Sequence, residues 1–407
     1  MKIPVQPTPI RVPGFRFAGV RAGIKESGKR DIALIVSDVP ATVAAAFTTN
    51  RVKAAPVLVG IERAAAGRLQ AVVVNSGNAN AYTGRDGLVM ARRMCALVAE
   101  EIGINQKLVI PSSTGRIGVR LPRRNIESGV RDACRHLSPD AFHDALEGIM
   151  TTDAFPKFAT AGLIIDGREV TIAGMTKGAG MIAPRMTPTG HATNLTYVLT
   201  DAAVSVAALR RALRVALPQS FNAIVVDGDT STNDTAVLLA NGVAGNRPLT
   251  PTARAFPELC GAITRVMQAL ARMIVKDGEG ATKLIDIRVH GARTRRDAER
   301  VADTIARSPL CKTAFFGGDP YTGRIVCAAG YSGAVFDPQK LDVYFDDVQV
   351  VRRGEEVVGK IEARAATVVR KPEFTLIIHL HAGTAAAHRI ASDLSVDYVK
   401  FNSDYRT

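Results

Sequence analysis

Apolar residues recur along this chain in two rhythms. Short runs bounded by polar or turn residues, Asp31 to Ser37 (DIALIVS) and Leu69 to Asn75 (LQAVVVN), predict buried strands, and Leu195 to Leu199 is a further strand-like stretch. From Gly84 to Ile102, residues Leu88, Ala91, Cys95, Val98 and Ile102 fall at helical spacing with Met94 alongside, which predicts an amphipathic helix. Val206, Leu209 and Leu213 form another helical stripe before Pro218, with Asp201 placed to cap it. Pro251 to Val275 and Asp297 to Ser308 read as two more helices, and β-rich segments return at Leu341 to Val351 and Glu373 to His381. No internal repeat or low-complexity linker breaks the pattern. Periodicity therefore gives α/β or α+β, in a chain of 407 residues with ample core for two or three domains.

Composition narrows the picture by exclusion. A hydrophobic content of 47% with 22% charged residues is ordinary for a soluble globular protein. There is no apolar run long enough for a membrane span. The N-terminus MKIPVQPTPIRVPGF is Pro-rich without an apolar core, so no signal peptide is expected. Five scattered cysteines (Cys95, Cys134, Cys260, Cys311, Cys327) without a C-x-x-C read as reduced, buried thiols of a cytoplasmic protein. The formal charge of +14, with arginine clusters at 116, 120, 123 and 124 and at 293, 295 and 296, invites a nucleic-acid reading. Aromatics are only 5%, Trp is absent and no recognition motif accompanies the charge, so nucleic-acid binding is not expected. A basic surface that draws in dicarboxylate substrates fits better.

Metal chemistry finds little support. DGDTSTNDT (227–235) carries Asp227, Asp229 and Asp234, but it lacks the glycine and terminal glutamate of a calcium loop and reads as a structural Asx/Thr turn. No H-x-x-x-H pair occurs, and His379 and His381 would share one face of a strand, so no metal is expected.

The most informative chemistry lies in KGAGMIAPRMTPTGHATNLTYVLTDAAV (177–204). A threonine hydroxyl is a poor nucleophile unless a base is held beside it. One source of that base is the residue's own α-amine, freed by cutting the preceding peptide bond. Such an amine has a pKa of about 7.7–8.0, close enough to neutrality to take the hydroxyl proton. Ala192–Thr193 is the candidate bond; the plainer reading of Thr193 is a β-branched residue opening a strand.

Motifs along nearly the whole length bear on that choice. They are AAAFTTNRVKAAPV (44–57), AVVVNSGNANAYTG (71–84), PSSTGRIG (111–118), IMTTDAFPK (149–157) and KGAGMIAP (177–184). Further on come FNAIVVDGDTSTNDT (221–235), KDGEGATK (276–283), SPLCKTAFFGGDPYTGRI (308–325) and DYVKFNSDYRT (397–407). In this set and order the chain resembles the ornithine acetyltransferase family, the bifunctional glutamate N-acetyltransferases of arginine biosynthesis. The resemblance implies a DmpA/ornithine acetyltransferase-like layered α/β sandwich with a smaller C-terminal domain. It implies self-cleavage into residues 1–192 and 193–407, and assembly of two α and two β chains. Thr193 would be the nucleophile, with Thr114 and Gly115 forming the oxyanion hole. Substrate would be bound by Lys177, by Thr151 or Thr152 (Thr151 preferred), and by Glu279, Asn402 and Thr407. Tyr398 and Phe401 would anchor the tail that carries Asn402 and Thr407. The cycle needs no external cofactor, although some members use acetyl-CoA as a second acyl donor.

The chain also departs from the family pattern. Met186 is followed by Thr187-Pro188-Thr189-Gly190-His191 before Ala192-Thr193, whereas the family runs from the proline to the cleavage site without interruption. Register with Thr200-Asp201-Ala202 selects Thr193; Thr187 and Thr189 are the alternatives. Arg116 stands where an apolar residue is expected, placing a cation near the site mouth. Tyr321-Thr322 replaces an expected Asn-Trp, and residues 381–390 lack the usual glycine-rich character. The function implied is acetyl transfer from N-acetylornithine to glutamate through a threonyl acyl-enzyme. The alternatives are an N-terminal-nucleophile amidase or aminopeptidase, a paralogue acting on another acylated amino acid, and an uncleaved amino-acid binder.

Overall fold

The computed structural model describes residues 9–184, 186, 187 and 194–404. Ala192, Thr193 and Thr407, with Thr189 and His191, lie outside the described residues. The first sheet contains β1 (Phe15–Val20), β2 (Ile32–Thr48), β3 (Arg68–Asn78), β4 (Val109–Arg116), β5 (Lys157–Ile165), β6 (Arg168–Lys177), β7 (Met186–Thr187) and β8 (Leu195–Thr200). After β9 (Ile224–Val225) of the other sheet, β10 (Thr235–Ala240) completes it. Its order is β4-β3-β2-β10-β8-β6-β5, with β1 and β7 also paired to β2. β8 and β10 run parallel at its centre, as do β3 and β4 toward one edge; the other pairings are antiparallel.

Both faces of this sheet are covered, which is why its strands read as continuous apolar runs. Ile32, Leu34 and Val36 of β2 pack with the helices Gly84–Ile102 and Arg123–Arg135, whereas Ala33 and Ile35 face the helix Phe142–Ile149. In β8, Leu195, Tyr197 and Leu199 join the latter side and Val198 the side built by the helices Val206–Ala216 and Phe256–Lys276. The alternation is the period-2 pleat of a strand.

The second sheet adds β11 (Leu284–Ala292), β12 (Asp342–Phe345), β13 (Val348–Arg352), β14 (Glu355–Glu356), β15 (Glu373–His379) and β16 (Ala385–Ser392) to β9, in the order β14-β13-β12-β15-β11-β16-β9. Helices Arg295–Arg307 and Ile361–Val369 cover it around its own core of Ile285, Ile287, Val301, Ile305, Leu376 and Ile378. The architecture is the expected layered α/β arrangement with a smaller C-terminal sheet.

Several sequence expectations require correction. Asp201 does not cap the helix Val206–Ala216; Ser205 does, accepting the Ala208 N–H, while Asp201 accepts the Thr171 N–H at 2.7 Å. The long helix begins at Phe256, not at Pro251. β15 ends at His379, and His381 sits beyond it in a left-handed conformation (φ 48°), its Nε2 2.8 Å from Asp342. The thiols are all free, but Cys327 is exposed and Cys134 only half-buried. Among the described residues, no helix is long and apolar enough to cross a membrane.

Candidate active site

One cleft collects most of the residues singled out from sequence: Thr114, Gly115, Thr151, Thr152, Lys177, Glu279 and Asn402 all line it. Its first wall is the parallel pair β3–β4, in register Ser76 to Thr114 and Gly77 to Gly115. Gly115 has φ 128°, and a Cβ there would collide with the carbonyl carbon of Gly77 and the nitrogen of Asn78. Only glycine allows the two strands to approach so closely. Lys177, the last residue of β6, is buried and donates from Nζ to Thr114 Oγ1 at 3.2 Å. That bond occupies a lone pair of the hydroxyl and leaves its own O–H to donate elsewhere. Burial pushes the Lys177 ammonium below its ordinary range, and Lys157 adds to this; Asp153, Glu279 and Asp234 act in the opposite sense. Arg116 is exposed and is not among the lining residues, so the expected cation is set back from the cleft.

The opposite wall is built around Glu279. Its carboxylate accepts from Thr152 Oγ1 at 2.7 Å and from Asn402 Nδ2 at 3.1 Å. Gly180 faces it, and a Cβ at position 180 would overlap the carboxylate itself. Gly280 allows the tail to close: a Cβ there would strike the Tyr398 nitrogen. Thr152 is thus the threonine whose hydroxyl joins this group, while Thr151 lines the cleft and gives its N–H to Asp153 at 2.8 Å. Asn402 is carried by the helix Val396–Asp404. The phenol of Tyr398 is raised above its ordinary range by burial and by the charges of Asp227, Asp229 and Glu279, which fits an anchor pressed into the cleft. Phe401 is 37% exposed.

The 227–235 turn, read from sequence as structural, and Asn194, which was not singled out, complete the cleft. Asp227 accepts the backbone N–H groups of Met181 (2.6 Å), Ile182 (2.9 Å) and Asp229 (3.1 Å), which ties the 227–235 loop to the glycine-rich turn as a structural element. Asn194, the sequence neighbour of Thr193, is buried in the cleft wall. Thr176 Oγ1 donates to Leu195 O (3.1 Å), so Thr196 donates to Thr176 (2.6 Å), and Asn194 Nδ2 donates to Thr196 (2.8 Å). This chain of donors fixes the amide orientation and leaves Asn194 Oδ1 as a buried acceptor without a partner among the described residues. Below the cleft, Lys157 joins Asp153 and Asp277.

A cleft with a buried cation on one wall and a hydrogen-bonded carboxylate on the other can pair with both charges of a small zwitterion. Comparison with known proteins gives the family. A family model described as the ArgJ family matches residues 16–407. The chain is 50% identical over 398 residues to the arginine biosynthesis bifunctional protein ArgJ of Geobacter sulfurreducens, spanning 98% of this chain and 100% of that protein. It is 50% identical over 396 residues to the protein of the same description from Symbiobacterium thermophilum, spanning 97% of each. The crystal structure of the bifunctional protein ArgJ from Bacillus halodurans is 37% identical over 51% of this chain and 98% of that chain, with a TM-score of 0.49. The chain belongs to the ArgJ family.

Proposed function

We propose that this enzyme transfers an acetyl group from N-acetylornithine to glutamate through an ester on Thr193, after self-cleavage between Ala192 and Thr193. The observation that carries the reading is the meeting in one cleft of Lys177, Thr114, Gly115 and the Thr152–Glu279–Asn402 group with Asn194, the residue bonded to Thr193. Family membership supports the same activity.

In this cycle the Thr193 hydroxyl attacks the acetyl carbon and its proton passes to the Thr193 α-amine. The oxyanion of the tetrahedral intermediate takes the Thr114 O–H and the Gly115 N–H. The carbon–nitrogen bond breaks, the leaving amine accepts the proton, and ornithine departs. Glutamate enters, its neutral amine attacks the ester, and the bond to Thr193 Oγ breaks as that oxygen regains a proton. Lys177 faces the α-carboxylate common to both substrates, and Glu279 faces an amino group. Two copies of each fragment form the assembled enzyme.

The test follows labelled acetyl from N-acetylornithine with and without glutamate. Label in N-acetylglutamate supports the proposal, whereas free acetate regardless of glutamate makes the enzyme an amidase. A second expected outcome concerns the oxyanion. Thr114→Ala should lower kcat by about 10²–10³, with Thr114→Ser keeping much of the activity and both variants folded by circular dichroism. A near-wild-type rate for Thr114→Ala would leave this strand end a purely structural role.

A further inference from the structure

We propose that Lys157 is a positioning residue, whose buried ammonium clasps Asp153 to Asp277 and thereby sets the distance between the Lys177 wall and the Glu279 wall of the cleft. Lys157 is the first residue of β5 and its side chain is fully buried. Its Nζ donates to Asp153 Oδ1 at 2.6 Å and to Asp277 Oδ2. Asp153 also accepts the N–H of Thr151 (2.8 Å) and of Gly178 (2.7 Å), so it holds the 151–154 turn against the residue that follows Lys177. Asp277 accepts the N–H of Ala154 at 3.0 Å and lies two residues before Glu279. One ammonium therefore fastens the three turns that carry Thr152, Lys177 and Glu279.

Stability alone is a poor explanation for this arrangement. Asp277 caps the C-terminus of the helix Phe256–Lys276, where the helix dipole disfavours an anion. Burial raises its carboxyl further, and Lys157 opposes that. Asp153 behaves differently: burial would raise it, but the Lys177 and Lys157 ammonium groups and the Gly178 N–H together hold it well below the ordinary carboxylate range. Two carboxylates and two ammonium groups thus share one buried cluster, a solution that well-packed apolar side chains commonly match or exceed in stability. What apolar packing cannot supply is directional attachment of three separate backbone segments. A ligand with a carboxylate and an amine at fixed separation requires that attachment, so the inference rests on the zwitterionic substrate proposed above.

Asp277→Asn tests the clasp while keeping the shape: it removes the negative charge that the Lys157 ammonium binds and leaves at most a neutral hydrogen bond in its place. Two measurements are made on the full-length protein, alongside Lys157→Met, with melting temperature recorded for each. Amide exchange of Ala154, Gly178 and Glu279 should accelerate together by about tenfold or more, with the helix Gly84–Ile102 unchanged. KM for both N-acetylornithine and glutamate should rise by about tenfold or more, with kcat altered less than about threefold. Acceleration confined to Ala154, or an unchanged KM in a folded but less stable Asp277→Asn, would reduce the cluster to a structural ion pair and overturn the proposal. Lys157→Met that fails to fold leaves the decision to Asp277→Asn. If the wild-type protein transfers no acetyl group, the substrate reading fails and the exchange measurement still decides the clasp.

Discussion

Thr193→Ala is expected to leave the chain in one piece of 43.2 kDa and to abolish acetyl transfer, whereas the wild-type protein gives two fragments, the second beginning at threonine. Both effects have one cause. The hydroxyl that would attack the acetyl carbon is also the group that would attack the Ala192 carbonyl, and the amine serving as base exists only after that cut. Intact mass and N-terminal sequencing read the position directly. A second terminus at Thr187 or Thr189 would move the nucleophile, and the absence of any second terminus in wild type would remove the mechanism. Thr193→Ser should still cleave and retain part of the activity, because serine supplies the same hydroxyl.

Lys177→Met is expected to lower kcat/KM for N-acetylornithine and for glutamate alike, by an amount corresponding to about 2–5 kcal/mol. In the proposed cycle the lysine would have two roles: it would face the carboxylate shared by the substrates, and its Nζ, which donates to Thr114 Oγ1, would polarise the hydroxyl proposed to serve the oxyanion. Glu279→Gln should instead harm mainly the substrate whose amine the carboxylate holds. Burial pushes the Lys177 pKa down, so its charge is lost at a lower pH than for an exposed lysine. In wild type, KM should accordingly climb on the alkaline side before the ordinary lysine range is reached, and this climb should vanish in Lys177→Met. Equal kcat/KM values for variant and wild type at all pH would remove Lys177 from substrate binding.

Sequence revealed the elements with strong internal rhythm and the residues embedded in distinctive motifs. The helix Gly84–Ile102 coincides with its predicted span because its stripe, its flanking glycine at 103 and its polar face all agree. Asp201 was misread as a cap because an aspartate before a helix has two local uses, and here a neighbouring strand, through the Thr171 N–H, took it. Thr114, Gly115, Lys177 and Glu279 were singled out through the family resemblance and not by their local motifs alone, and the structure brings all four to one cleft. The Lys157 cluster was not, although Asp153 and Lys157 lie in one quoted motif and Asp277 in another. Their i,i+4 spacing resembles a solvated helix pair, but the segment is a turn entering a strand, and the third partner is distant in sequence. Asn194 carried no signal at all, since an orphan acceptor is defined only by what surrounds it.

The strand order of the first sheet has a bearing on what self-cleavage produces. β2 and β6 precede the proposed cut and β8 and β10 follow it, yet the sheet runs β2-β10-β8-β6. The later fragment is threaded between two strands of the earlier one, joined by backbone ladders along both of its borders. The two pieces would be woven rather than docked, so neither can leave without tearing the centre of the sheet. Cutting the chain then costs little folded structure but changes the molecularity of its loss. Melting of the cut protein becomes a dissociation and its midpoint should rise with protein concentration, whereas any dependence on concentration in Thr193→Ala would report only contacts between whole molecules.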